Sequence, residues 1–286
     1  MFVSSNLLRD VLPYFQRKLK SIYDEREAES IFLWVCETWF GLKKSEVLNG
    51  DKRLTESELL EFRDVVNRLQ EHEPIQYILG ETEFYGLKFK VDRRVLIPRP
   101  ETEELVDLII KKHLSHDHLK ILDIGTGSGC IPISLKLNLK NSTVSAIDIS
   151  EDALDLAKQN ASKNHADIDF QKVNILSESE KITGTFDIIV SNPPYIPEAD
   201  KVAMHKNVLE HEPGLALFVS NEDPIIFYRA ILDFATRHLN EKGTVWFELH
   251  PDFASAVLVY GQALNFTTAE ILKDLSGKDR FAVFSR

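Results

Sequence analysis

About two thirds of the way along the chain, Asn192-Pro193-Pro194-Tyr195 brings together the groups needed to hold an amine acceptor. Asn192 carries an amide with both an acceptor and a donor. Two successive prolines fix φ and delete two backbone donors, which holds nearby carbonyls outward. An acceptor NH2 group can donate one hydrogen to the Asn192 side-chain oxygen and the other to the Pro193 carbonyl, while Tyr195 stacks on a flat target. A planar amide or aromatic amine is a weak nucleophile because its nitrogen lone pair is delocalised. Fixing both N–H bonds aims that nitrogen and favours its pyramidalisation, which is catalysis by positioning and electrostatics without a strong base. The competing reading is a proline-rich loop that only ends a strand.

Upstream, ILDIGTGSGC (Ile121–Cys130) carries a Gly-x-Gly-x-Gly turn formed by Gly125, Gly127 and Gly129, with Thr126 and Ser128 between them. Glycines let the backbone turn tightly and approach a ligand. Asp148 follows Gly129 by 19 residues, the distance at which an acid binds ribose hydroxyls in dinucleotide folds. A dinucleotide fingerprint would put its third small residue at position 130, where this chain has Cys130. A pyrophosphate also needs helix N-terminal amides, whereas Asp123, just ahead of the turn, suits an ammonium. S-adenosylmethionine has ribose, ammonium, carboxylate and sulfonium but no phosphate. It is the cofactor expected here, with S-adenosylhomocysteine as product.

These groups need a scaffold. Residues 1–73 read as helical: Leu7 to Phe15 interrupted by Pro13, Glu25 to Phe40 stopping at Gly41, and a helix from Thr55 with Glu58 placed for a capping box. Residues 74–100 form a linker in which Phe84, Leu87, Phe89 and Val91 predict a β-hairpin turning at Gly86. Residues 101–286 alternate strands (119–124, 142–149, 167–173, 185–191, 243–249) with helices (102–115, 128–138, 151–164, 224–239, 251–262). Such alternation predicts an α/β fold with a mostly parallel sheet covered on both faces. The last strands, 265–272 and 280–285, are too close in sequence for a crossover and should pair antiparallel. Ligands of such sheets bind beyond the carboxyl ends of the strands, where Asn192 falls.

The 286 residues include 34 Lys and Arg against 45 Asp and Glu, for a net charge of −11. Residues 1–80 carry 11 basic and 14 acidic side chains, so no basic arm is hidden there. That balance argues against a grip on nucleic-acid phosphates. Two cysteines exclude a disulfide scaffold and suit a reducing compartment. No apolar run reaches the roughly 20 residues of a membrane span, and the N-terminus lacks the pattern of a secretory signal. The expectation is a cytoplasmic globular protein.

Asn-Pro-Pro-Tyr downstream of Gly-x-Gly-x-Gly resembles the class I amino-methyltransferases, whose acceptors include DNA adenine and protein glutamine. Pro74–Asp107 closely resembles the linker and following segment of the HemK-type protein-(glutamine-N5) methyltransferases, with Pro98-Arg99-Pro100-Glu101-Thr102-Glu103 the most specific stretch. His211-Glu212-Pro213, Ala216-Leu217-Phe218 and Asp274-Leu275-Ser276-Gly277 with Asp279-Arg280 match weaker blocks. The resemblance covers nearly the whole chain. It implies a Rossmann-like class I methyltransferase sheet of seven strands with an antiparallel last strand. The implied activity is methylation of the Gly-Gly-Gln glutamine of class 1 peptide chain release factors, with the helical N-terminal domain contacting the release factor. By the same resemblance, Gly125 to Gly129 bind the methionine part and adenosine, Asp148 the ribose, and Asn174 and Ile175 the adenine. Asn192 to Tyr195 hold the glutamine, with Asn192 also near the cofactor. A monomer without direct nucleic-acid or membrane contact is expected. Glu248-Leu249-His250 departs from the family's acid-apolar-Gly pattern.

Two rival readings share these motifs: an adenine-N6 DNA or RNA methyltransferase, and a cofactor-binding protein without catalysis. The first calls for a basic groove for a flipped base, which the sequence does not offer. Among the other residues, His113, His116 and His118 read as a solvated helix terminus rather than a metal site. Cys130 reads as a small helix residue, Trp34 and Trp39 as core, and Arg99 with Glu101 as an ion pair.

Overall fold

The structure, a computed structural model, describes residues 5–286. The chain divides into two units: residues 1–80 with 206–211, and residues 81–205 with 212–286.

The first unit is helical: α1 (Leu8–Leu19), α2 (Glu25–Phe40), α3 (Lys44–Asn49), α4 (Glu56–Gln70) and α5 (Ile75–Leu79). Local chemistry sets their ends. Asp24 accepts from Glu27 N at 2.8 Å to cap α2, and Gly41 closes that helix at φ +66°. The capping box at α4 forms as expected, with Thr55 Oγ1 accepting from Glu58 N and Glu58 Oε2 accepting from Thr55 N at 2.6 Å. Pro13 sits inside α1 without ending it. Phe15, Phe32 and Phe62 interlock at centroid distances of 5.5 and 5.4 Å, and all three are fully buried. Each such side chain contributes roughly 1.5–3 kcal/mol. Trp39 joins Phe62 edge-on at 5.3 Å, in keeping with a core role. The short helices α3 and α5 carry too few turns to show a period in sequence.

The second unit opens with the hairpin β1 (Glu81–Phe84) and β2 (Leu87–Lys90). Tyr85 and Gly86 both have positive φ, 50° and 72°, as a two-residue hairpin turn requires. There follow α6 (Pro100–His113), β3 (Lys120–Ile124), α7 (Cys130–Asn138), β4 (Thr143–Asp148), α8 (Glu151–Lys163), β5 (Asp169–Lys172) and β6 (Phe186–Ser191). The two-residue strands β7 (Ile196–Pro197) and β8 (Phe218–Val219) pair with each other, and between them α9 (Lys206–His211) belongs to the first unit. The chain ends with α10 (Ile226–His238), β9 (Leu239–Glu248), α11 (Ala254–Ala263), β10 (Thr268–Lys273) and β11 (Asp279–Ser285).

Seven strands form one sheet in the order β10-β11-β9-β6-β3-β4-β5. The five from β9 to β5 are parallel, and β11 alone runs against its neighbours β9 and β10. The expected seven-stranded sheet with its antiparallel last strand is therefore present. Alternate residues of the central strands serve opposite faces. Leu122 and Ile189 pack with α10 and α11 residues such as Tyr228 and Val257, whereas Ile121 and Ile188 pack with α6 and α7 residues such as Leu105 and Ile133. From β3 the connections run to opposite sides, to β4 and ultimately to β6, which opens a crevice at the carboxyl ends of these strands.

Candidate active site

A cavity of about 300 Å³ lies at the carboxyl ends of β3, β4 and β6. Its walls include Gly125, Thr126, Gly127, Ser128, Asp148, Asn174, Ile175, Asn192, Pro193 and Pro194. Ten residues singled out from sequence thus meet in one place. Three are not among its walls: Asp123 lies fully buried near the end of β3, beside the wall residue Thr126, Gly129 caps α7, and Tyr195 packs against the core beyond the prolines.

The glycine turn is shaped by its own backbone. Gly125, Gly127 and Gly129 have φ of 78°, 54° and 80°, a region that side chains disfavour. Gly125 N and Thr126 N both donate to Ile147 O, at 2.9 and 3.0 Å, tying the turn to β4. At Gly129 a Cβ would sit 3.2 Å from Ala157 Cβ on α8 and 3.2 Å from Ile133 Cδ1. Ser191 Oγ donates to Ile124 O at 2.6 Å, so the ends of β6 and β3 are joined.

Two acids sit at these strand ends. Asp148 Oδ2 accepts from Gly127 N and Oδ1 from Ser150 N, each at 2.9 Å. Burial raises its pKa, and those N–H groups oppose the rise. Asp123 differs. Among the described residues five buried side-chain polar atoms lack a hydrogen-bond partner, and three are Asp123 Oδ1, Asp123 Oδ2 and Thr126 Oγ1. Burial pushes the Asp123 carboxyl up to about 7, with the nearby Thr126 hydroxyl opposing and the Asp148 charge adding to the shift. An orphaned buried carboxylate is costly, and a cationic ligand with several donors relieves that cost.

Sequence reasoning missed several residues that hold the site. Asn160 on α8 is fully buried; it donates to Lys90 O at 3.0 Å and Ser128 O at 2.9 Å and accepts from Lys90 N at 2.7 Å. It links the end of the hairpin to the glycine turn. Arg99 pairs with Glu212 at 2.6 Å, not with Glu101, and Glu212 also accepts from Ile97 N at 3.2 Å. Asn192 Nδ2 donates to Thr102 Oγ1 at 3.1 Å, Thr102 Oγ1 donates to Glu248 Oε2 at 2.7 Å, and the Tyr195 hydroxyl donates to Glu248 Oε1 at 3.1 Å. Thr102 lies in the proline-rich stretch and Glu248 in the departing acid-Leu-His stretch, so both had a signal. The reading of His113 as solvated is corrected: it is buried against Thr244 Oγ1 at 3.1 Å, and burial drives its pKa down to about 4. His116 and His118 are exposed. No cluster of three or more potential metal ligands occurs among the described residues, and none of their helices is long and apolar enough to cross a membrane.

Comparison with known proteins places this geometry. Residues 104–213 match the family described as methyltransferase small domain, and residues 10–80 match the family described as PrmC N-terminal domain. A release factor glutamine methyltransferase of Flavobacterium psychrophilum is 48% identical over 278 residues, spanning 96% of this chain and 97% of that protein. The protein of the same description from Bacteroides thetaiotaomicron is 41% identical over 278 residues, spanning 96% and 99%. A crystal structure of a methyltransferase from Pyrococcus furiosus superposes with a TM-score of 0.52 at 18% identity, covering 81% of this chain and 98% of that one, which bears on the fold alone. With its class I methyltransferase sheet and relatives of up to this identity over nearly its whole length, the chain belongs to the release factor glutamine methyltransferase family.

Proposed function

We propose that this protein transfers a methyl group from S-adenosylmethionine to the side-chain amide nitrogen of the glutamine in the Gly-Gly-Gln motif of peptide chain release factors. Family membership supports the reaction, and the observation that carries the site assignment is the meeting of Asn192-Pro193-Pro194 and the glycine turn in one cavity. When bound, the cofactor supplies an electrophilic methyl group on a sulfonium. Asp123 holds its ammonium, Asp148 takes its ribose hydroxyls, and Asn174 with Ile175 borders its adenine. Asn174 Oδ1 already accepts from Leu176 N at 2.9 Å, so its Nδ2 is the more available group. Asn192 Oδ1 and the Pro193 carbonyl accept the two N–H bonds of the glutamine amide, which orients its nitrogen; as that nitrogen gains the methyl group and S-adenosylhomocysteine departs, one of the two protons is released to solvent. The Tyr195 hydroxyl is committed to Glu248, so its part is to fix the loop that carries Asn192 and Pro193 rather than to move a proton. The helical unit serves to recognise the release factor.

The test is incubation of the protein with labelled S-adenosylmethionine and an unmethylated release factor. Label is expected on the Gly-Gly-Gln peptide and is expected to vanish when that glutamine is replaced by alanine. Label that survives the replacement overturns the assignment, and methylated adenine in a nucleic-acid digest would favour the rival activity instead.

A further inference from the structure

The side chain that grips the acceptor amide must itself be oriented. A carboxamide turned end over end occupies almost the same volume, yet offers two donors where it had an acceptor. Asn192 facing the acceptor with Nδ2 would set donors against donors. Something must therefore distinguish its two ends.

Three segments far apart in sequence converge to do so. Thr102 near the start of α6 and Glu248 at the end of β9 are 3% and 1% exposed. Thr102 Oγ1 lies 2.7 Å from Glu248 Oε2 and 3.1 Å from Asn192 Nδ2. A hydroxyl has one proton to give, and a carboxylate has none. Burial raises the Glu248 pKa, but the Thr102 and Tyr195 hydroxyls on its two oxygens and the Arg280 charge oppose that rise and favour the carboxylate; facing that carboxylate, Thr102 must donate to it, and only its lone pairs remain for Asn192. The end of Asn192 turned to Thr102 is then the NH2 group, and Oδ1 is left for the cavity. Glu248 Oε1 meanwhile accepts from the Tyr195 hydroxyl at 3.1 Å, and the Tyr228 hydroxyl donates to the Glu248 carbonyl at 3.1 Å, which holds the acid in place.

We propose that Thr102 and Glu248 are positioning residues for methyl transfer: the buried carboxylate sets the direction of the Glu248–Thr102–Asn192 hydrogen-bond chain so that Asn192 presents its oxygen to the acceptor amide, and the same carboxylate pins Tyr195. This rests on the reading of Asn192 as the acceptor's clamp. The two residues act through Asn192 and Tyr195, and no proton leaves the chain.

The test uses the full chain, S-adenosylmethionine and an unmethylated release factor. Thr102→Val keeps the shape and removes the relay; kcat is expected to fall roughly 10- to 100-fold, the effect of a small misplacement in an active site. The Kd for cofactor, which also reports that the variant is folded, should stay within about threefold, and Thr102→Ser should restore kcat to within about threefold. Glu248→Met, which deletes the acceptor while filling the space, should lower kcat to the same degree with cofactor still bound. The inference is overturned by a Thr102→Val variant that keeps kcat within about twofold, by Thr102→Ser as slow as Thr102→Val, or by cofactor affinity that falls in step with kcat. An unaltered protein that labels no glutamine overturns the functional reading and this inference with it. An active unaltered protein beside an unimpaired Thr102→Val overturns this inference alone.

Discussion

Replacing Asp123 by asparagine should stabilise the ligand-free protein and cripple its hold on the cofactor. The substitution keeps the shape and removes one buried charge. The Asp123 carboxyl is raised from 3.8 to about 7 by burial. Between about pH 4 and pH 7 the folded chain therefore keeps a proton that the unfolded chain has lost. Stability contributed by the neutral acid is complete at the low end of that window and is lost as pH rises through it. A shift of about 3 pH units corresponds to at most about 4 kcal/mol. The Asp123→Asn variant should thus unfold like the unaltered protein near pH 4 and be more stable by up to that amount near pH 8. Binding runs the opposite way. A hydrogen bond to a charged group is worth about 1.5–3 kcal/mol, so the Kd for S-adenosylmethionine at pH 8 should rise roughly 10- to 150-fold. Below pH 7 the unaltered protein should lose affinity as the acid protonates, and the variant should not. Urea denaturation of the ligand-free protein and titration calorimetry across this pH range measure both effects. A variant that binds cofactor as tightly as the unaltered protein, or that is less stable than it at pH 8, refutes the reasoning.

Three other substitutions probe the scaffold. Gly129→Ala meets a φ of 80° and two carbon atoms at 3.2 Å, so it should cost about 1–3 kcal/mol in a denaturant titration. Asn160→Ala leaves Lys90 N, Lys90 O and Ser128 O without their partner; a loss of about 2–4 kcal/mol is expected, with weaker cofactor binding by calorimetry as the glycine turn loosens. His113 has its folded pKa pushed by burial from 6.5 to about 4, so the unfolded chain takes up a proton that the folded chain refuses. The stability it contributes is present above about pH 6.5 and is lost as pH falls towards 4, and His113→Asn should flatten that part of the stability profile.

Local chemistry was legible in the sequence. A capping box, a hairpin turn at Gly86, three glycines and an acid at a strand end each declare themselves within a few residues. The alternation of strands and helices then leads to the sheet, because parallel strands buried on both faces must be continuous and apolar. What stayed hidden depends on long-range pairing. Arg99 lies next to Glu101 but finds Glu212, 113 residues away. Thr102 meets Glu248 across 146 residues. A helix end rich in histidine gave no hint that Thr244 on β9 would bury His113 while leaving His116 exposed. Tyr195 was expected to stack on the acceptor, yet its hydroxyl is drawn to an acid 53 residues on.

The two cysteines have a consequence for kinetics. Each unit holds one, Cys36 at 0% and Cys130 at 7% exposure, and burial pushes both thiols up to about 12. Only a thiolate attacks an alkylating reagent at a useful rate, so at neutral pH each sulfur reacts when its surroundings open. The chain therefore carries one slow-reacting thiol in each unit. Cys130 borders the cavity, so an occupant there should slow the reaction of Cys130 and leave that of Cys36 at its own pace.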